Sequence, residues 1–175
     1  TLIIMILLYA SGLSFFDAFS HALTTIATGG FSTKSSSIGH YNNFFTELII
    51  ILGMIAASLP FTLYIACFRK NFISLFDSQV LLFFCLIIFF VLSMSLWVHV
   101  NSNINIFLAL RLSLFNSISI MTGTGYSTEN FSNWGYFTNT MFLIMMLVGG
   151  CSGSTTGGLK IFRIQVLLAL VVKEL

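Results

Sequence analysis

The sequence predicts an all-α membrane protein built from repeated units of span, re-entrant pore helix and span. Three observations carry that expectation. Of the 175 residues, 57% are hydrophobic and only 7% are charged, against about 25% charge in a soluble domain, so lipid must cover what polar groups cannot. Apolar runs long enough to cross a bilayer alternate with shorter ones. The shorter ones end in Gly and Thr at matching places. The same composition excludes other classes, because disorder needs low hydrophobicity and high charge, and a net charge of +2 makes no basic patch for nucleic acid. Cys67, Cys85 and Cys151 are too widely spaced for a disulfide framework or a transition-metal site, and are expected to be packing residues.

Thr1 leads straight into apolar residues without an initiator Met, a basic leader or a cleavage site, so the sequence reads as an internal piece of a longer chain. Leu2 to Leu13 is too short to cross alone and reads as the remaining end of a span. A crossing helix needs about 20 apolar residues at 1.5 Å each. Phe44 to Phe68 has that length, interrupted by Glu47 and by Pro60, which is expected to kink the helix rather than end it. Val80 to Val100 also qualifies, with no formal charge apart from His99. Phe15 to Phe31 and Ile106 to Tyr126 are too polar to cross and too apolar for ordinary loops. Each opens as a short helix and runs into Gly and Thr, as a re-entrant segment does when protein or a watery cavity surrounds its non-helical end. Tyr136 to Val148 reaches only part of the way across. The run Gly149, Gly150, Cys151, Ser152, Gly153, Ser154, Thr155, Thr156, Gly157, Gly158 should therefore break the last span inside the membrane.

An internal repeat runs through these elements. The stretch HALTTIATGGFST from His21 matches NSISIMTGTGYST from Asn116. Gly30, Ser32 and Thr33 fall on Gly125, Ser127 and Thr128, while Phe31 falls on Tyr126, Ile26 on Met121 and Thr24 on Ser119. The expected organisation is a span–pore-loop–span repeat over 1–70, its first span truncated, and a second over 71–175 with a broken last helix. Arg69 and Lys70, and then Lys160, Arg163 and Lys173, assign the ends they follow to the cytoplasm. Asp17, Lys34, Arg111 and Glu129 lie on the opposite side, from which the re-entrant segments enter.

Two Gly-Thr turns at the ends of short helices suggest a site made of backbone carbonyls, which can replace the water of a potassium ion without fixed charge. The residues are Thr28, Gly29, Gly30 and Phe31, then Gly123, Thr124, Gly125 and Tyr126. Glycine lets successive carbonyls aim at one axis. The aromatic residue after it is expected to pack behind the turn, and helix C-termini aimed at the site would add partial negative charge. The bland alternative is a pair of glycine turns at helix ends, against which the matched repetition counts. The Gly149 to Gly158 break reads as a gate below the turns or, alternatively, as a cytoplasmic turn between two ordinary helices.

Three stretches, FDAFSHALTTIATGGFSTKSSSIGHYNN from Phe16, FNSISIMTGTGYSTENFSNWG from Phe115 and VGGCSGSTTGGLKIFR from Val148, resemble the Trk/Ktr/HKT superfamily of potassium-uptake membrane proteins, most closely its bacterial TrkH-type subunits. The resemblance implies four span–pore helix–span repeats around one pore, each giving one filter glycine. This chain would then supply the second and third repeats of a pseudo-fourfold, potassium-channel-like pore and be incomplete by itself. By the same resemblance Gly30 and Gly125 are filter glycines, Thr28 and Gly29 with Gly123 and Thr124 add potassium-binding carbonyls, and Gly149 to Gly158 is an intramembrane gating loop. The sequence departs from the family at Gly123, where the usual Thr would supply a hydroxyl. Potassium is then the transported substrate, with no covalent cofactor. The implied partners are the lipid bilayer, the remaining repeats of the full-length subunit, a second copy in a homodimer and a cytoplasmic nucleotide-binding regulatory subunit. The implied location is the bacterial inner membrane, crossed several times.

Rival readings fare less well. A dimeric two-pore-loop potassium channel needs a second glycine after the aromatic residue, and Ser32 and Ser127 stand there. A non-conducting membrane fragment is the third reading. An enzyme is not expected, because Leu159 separates Gly158 from Lys160 and so breaks phosphate-loop spacing, and no His or acidic residue neighbours Cys151 in sequence. His21, His40 and His99 are unclustered and expected to pack or meet solvent. Asp17 is expected to favour the N-terminus of the first pore helix.

Overall fold

Ser14 starts the first re-entrant helix by accepting the backbone N–H of Asp17 on its hydroxyl at 3.1 Å, the side-chain cap that satisfies an orphan donor at a helix start. Asn43, Asp77 and Asn105 cap three later helices in the same way. The computed structural model describes residues 1–69 and 77–174, and Lys70, Leu175 and the expected repeat boundary lie outside them. The helices are α1 (Leu2–Ala10), α2 (Phe15–Ile26), α3 (Phe44–Ser58), α4 (Phe61–Phe68), α5 (Ser78–Ser102), α6 (Ile106–Met121), α7 (Tyr136–Leu147) and α8 (Ile161–Glu174). Within the described residues the only strand-like pairing is an isolated parallel bridge between Val148 and Leu159. The expected all-α class is therefore observed.

Helices α1, α2 and α3 pack as one group, α5, α6 and α7 as another, and α3 against α6 joins them. Each group places its glycine-terminated helix, α2 or α6, between two others in chain order. The α3 backbone approaches α1 and α2 closely at Gly53, where a Cβ would fall 2.7 Å from the Thr25 methyl and 2.9 Å from Ile4. Polar residues are buried beside the apolar core, and much of the exterior is apolar. His21, Thr25, Ser113, Asn116, Ser117 and Ser119 on the two re-entrant helices are buried, while Leu81, Ile88, Phe89, Leu92 and Leu96 of α5 are exposed. Such an apolar exterior suits hydrocarbon, and α5 is long and apolar enough to cross it, with a mean hydropathy of 2.8 over its most apolar 18 residues. Cys85 lies on that exterior rather than in the packing expected of it, whereas Cys151 is buried.

Pro60 does more than kink its span. Helix α3 ends at Ser58, and α4 leaves at a bend of 93°. Leu59 before the proline is extended (φ −84°, ψ 154°), the conformation that the pyrrolidine ring imposes on its predecessor. The Ala56 carbonyl freed by the proline accepts the Tyr64 hydroxyl of α4 in a short contact, whereas the Ala57 and Ser58 carbonyls find their donors elsewhere. They accept from the polar run near the end of the chain: the Cys151 N–H reaches Ser58 O at 3.1 Å and the Thr155 N–H reaches Ala57 O at 3.2 Å. The bend also means that Arg69 does not mark the end of a straight span.

Glu47, an acid inside the predicted span, receives Arg111 of α6 in a bidentate pair at 2.7 and 2.8 Å. Arg111 also lies 5.7 Å from the Phe44 ring centroid. The pair clamps α3 of the first group to α6 of the second. Because breaking a buried pair leaves one charge unmatched, Glu47→Gln or Arg111→Met is expected to destabilise by about 3 kcal/mol. Thermal unfolding in detergent checks this, and the Glu47→Met/Arg111→Leu double variant should recover most of the loss.

Candidate ion-conduction site

Both re-entrant helices stop just before a glycine turn, α2 at Ile26 and α6 at Met121, so their C-terminal partial negative charge adjoins the turns. Within the turns the backbone alternates. Thr28 (φ 50°) and Gly30 (φ 66°) are left-handed in the first, and Gly123 (φ 73°) and Gly125 (φ 85°) in the second. These are matched positions of the repeat. Alternating handedness turns successive carbonyls toward one side, as an ion-binding row requires. Among the described residues, no backbone or side-chain donor reaches the carbonyls of Thr28, Gly29, Gly30, Gly123, Thr124 or Gly125. Backbone carbonyls left without protein donors need water or a cation.

The two turns touch each other. A Cβ on Gly30 would sit 1.8 Å from the Thr124 carbonyl oxygen, so glycine is obligatory there both for its left-handed φ and for this approach. The matched face of Gly125 is open, with nothing within 4 Å. A crevice of about 310 Å³, lined by Ile120, Gly123, Phe131, Phe142 and Met146, opens beside it. The aromatic residues differ in a related way. Tyr126 packs behind the first turn as expected, 1% exposed, with its hydroxyl 2.5 Å from Thr24 Oγ1. Phe31 instead is 77% exposed, with its ring beside its own turn, 3.5 Å from where a Cβ on Gly29 would lie.

The Gly149 to Gly158 run closes on itself beneath the turns. Leu159 donates to Leu147 O at 2.9 Å and Gly149 donates to Leu159 O at 2.9 Å, pinching the two ends together. A Cβ on Gly149 would lie 2.0 Å from Gly157 O, which explains the glycines at the pinch. From this loop Thr155 O accepts the Thr28 hydroxyl at 3.1 Å, and Gly157 N lies 3.6 Å from the Cβ position of Gly123. The loop therefore abuts the first residue of both turns. Phe61 after the Pro60 break donates to Gly153 O at 3.0 Å.

A model of the TrkH family, described as a cation transport protein, matches residues 1–175. The chain belongs to the TrkH family. It is 37% identical to the Trk system potassium uptake protein TrkI of Halomonas elongata over 100% of its own length and 36% of that protein's. It is 35% identical to the Trk system potassium uptake protein TrkG of Escherichia coli, covering 90% of this chain and 33% of that protein. The crystal structure of the potassium transporter TrkH from Vibrio parahaemolyticus superposes with a TM-score of 0.92 at 29% identity, over 99% of this chain and 38% of the other. The chain thus spans about a third of the length of the curated relatives it matches.

Sequence reasoning missed the residues that hold the TrkH-family turns in place. Thr24 Oγ1 donates to Phe31 O at 3.0 Å, and Ser119 Oγ donates to Tyr126 O at 2.7 Å. Each aromatic residue therefore spends a carbonyl lone pair on its own helix, which narrows the donor-free set to the six residues before them. One step back, His21 Nδ1 donates to Asp17 O at 2.7 Å and its Nε2 meets Ser32 Oγ at 2.9 Å. Asn116 repeats this, donating to Leu112 O at 2.8 Å and to Thr128 Oγ1 at 2.9 Å. The signal was available, since Thr24 and Ser119, and His21 and Asn116, are polar pairs at matched positions. Asp17 sits in the first turn of α2 as expected and also tethers the linker, through Thr33 Oγ1 at 2.6 Å and Lys34 at 3.5 Å. The Thr33 hydroxyl, with Ser14 and the Lys34 ammonium behind it, holds the Asp17 carboxyl well below the usual range, at about 2. At Gly123 the hydroxyl that Thr28 lends to the loop is missing, and Thr122 is turned to Thr124 Oγ1 at 2.8 Å instead.

Proposed function

We propose that this chain forms two of the four repeats of a potassium-uptake pore, in which the donor-free carbonyls of Thr28 to Gly30 and Gly123 to Gly125 strip and bind potassium. The observation that carries the reading is the pair of matched, left-handed turns with unclaimed carbonyls at the C-terminal ends of two re-entrant helices. A backbone cage selects a cation without fixed charge. Two open edges support a larger ring. The face of Gly125 lacks the carbonyl that Thr124 presents to Gly30, and Phe31 lacks the neighbouring helix that receives Tyr126. A preceding and a following repeat would fill both.

The family relatives named for potassium uptake support potassium as the substrate, moved down its electrochemical gradient with no covalent cofactor and no enzymatic step. The Gly149 to Gly158 loop, hydrogen-bonded to the base of the first turn, serves as the gate. The full-length protein would work in the bacterial inner membrane as a multi-pass homodimer, with a cytoplasmic nucleotide-binding regulatory subunit. Growth at limiting potassium tests this. The full-length protein is expected to restore growth to a host that lacks potassium uptake, and a membrane-inserted protein that leaves growth unrescued refutes the reading.

A further inference from the structure

Lys160 ends the loop, and its ammonium turns back into it. Nζ donates to Thr156 O in a short contact, to Thr156 Oγ1 at 3.1 Å, to Ser154 O at 3.4 Å and toward Ser154 Oγ at 3.5 Å. No carboxylate pairs with it among the described residues, where the ion pairs are Lys34 with Asp17 and Arg111 with Glu47. A cation is thus solvated only by neutral oxygens, two of them backbone carbonyls.

Hydroxyl protons in this cage all point away from Nζ. Ser154 Oγ donates to Cys151 O at 2.6 Å, so it must accept from Thr156 Oγ1, 2.8 Å away. Thr156 Oγ1 in turn accepts the Gly150 N–H at 3.0 Å. Each hydroxyl has one proton, and both are engaged, which leaves lone pairs facing the ammonium. Thr156 is buried, and the loop abuts both turns through Thr155 and Gly157. An alkylammonium and a dehydrated potassium ion are monovalent cations of similar size that bind the same oxygen donors.

We propose that Ser154 and Thr156 form a monovalent-cation site below the turns, that the Lys160 ammonium occupies it in the closed loop as a tethered ion, and that potassium takes its place when the loop opens. This rests on the reading of the loop as a gate. The test is rubidium influx into proteoliposomes of the full-length protein carrying Lys160→Met and Thr156→Val, singly and together, with thermal unfolding measured in potassium and in choline. Lys160→Met is expected to raise influx about tenfold, as loss of a charge-assisted set of hydrogen bonds from the closed state should. The double variant should add nothing beyond the larger single effect. Lys160→Met should also gain a potassium-dependent rise in unfolding temperature beyond that of the parent, and Thr156→Val should remove it.

Unchanged influx in Lys160→Met, or additive effects in the double variant, overturns the tethered cation. Absence of the extra potassium-dependent stabilisation overturns the cage as an ion site. Should Lys160→Met fail to accumulate, Thr156→Val alone decides, with raised influx expected and unchanged influx refuting the inference. Shortening the loop separates the two levels of the argument. If shortening leaves influx unchanged, the gate itself fails; if shortening raises influx and Lys160→Met does not, only the tethered ion fails.

Discussion

Gly30→Ala is expected to abolish potassium-dependent growth and to lower rubidium influx about a hundredfold or more in the full-length protein. Two costs add at this position. The left-handed φ of 66° costs a residue with a Cβ about 1–2 kcal/mol, and the new methyl would stand 1.8 Å from the Thr124 carbonyl oxygen, forcing two backbone segments apart. About 3 kcal/mol at the turn corresponds to roughly a hundredfold loss. Gly125→Ala distinguishes a closed ring from an open pair of repeats. In this chain its methyl would meet nothing within 4 Å, so only the strain of φ 85° applies. If a following repeat fills that face, Gly125→Ala in the full-length protein is as severe as Gly30→Ala. A markedly milder Gly125→Ala, at equal membrane abundance, contradicts the ring. Replacing either glycine by Asp should be at least as damaging, because it adds a charge to a carbonyl cage.

Deleting residues from Cys151 to Thr155 is expected to raise rubidium influx about tenfold or more while leaving the protein in the membrane. The deletion removes Cys151 N to Ser58 O, Thr155 N and Oγ1 to Ala57 O, Phe61 N to Gly153 O and the Thr28 hydroxyl to Thr155 O. At about 1 kcal/mol net for each hydrogen bond, losing two or three of them from the closed state accounts for that shift. Flux measurements unchanged by the deletion refute the gating role. Pro60→Ala probes the same latch from the other side, since an unbroken helix would reclaim the Ala57 and Ser58 carbonyls that the loop now uses.

Much of the fold could be read from sequence because its periodicity and length limits are local. The starts and ends of α2, α6 and α7 follow from caps, apolar runs and glycines that neighbours in sequence supply. Pro60 was misjudged for a non-local reason. Whether a proline bends a helix or ends it depends on who satisfies the freed carbonyls: Tyr64 of α4 meets Ala56 O, but the loop that meets Ala57 and Ser58 lies far along the chain. Glu47 is another such case. As an isolated acid in an apolar run it looked like an interruption, and only the packing of α3 on α6 supplies Arg111. Phe31 and Tyr126 occupy the same place in the repeat, yet one is exposed and the other buried, because Tyr126 reaches Thr24 on α2 of the first group.

The sequence by itself determined the class, the elements and the candidate turns. A chain with 7% charge needs lipid, and the left-handed position that is glycine in both repeats, Gly30 and Gly125, marks the turns in the sequence. Only the tertiary structure decided that the two turns touch, that six of their carbonyls find no donor among the described residues, and that the Gly149 to Gly158 loop is fastened between them and the Pro60 break. These are contacts between residues far apart in the chain, set by how two repeats pack, and no local pattern of side chains encodes them.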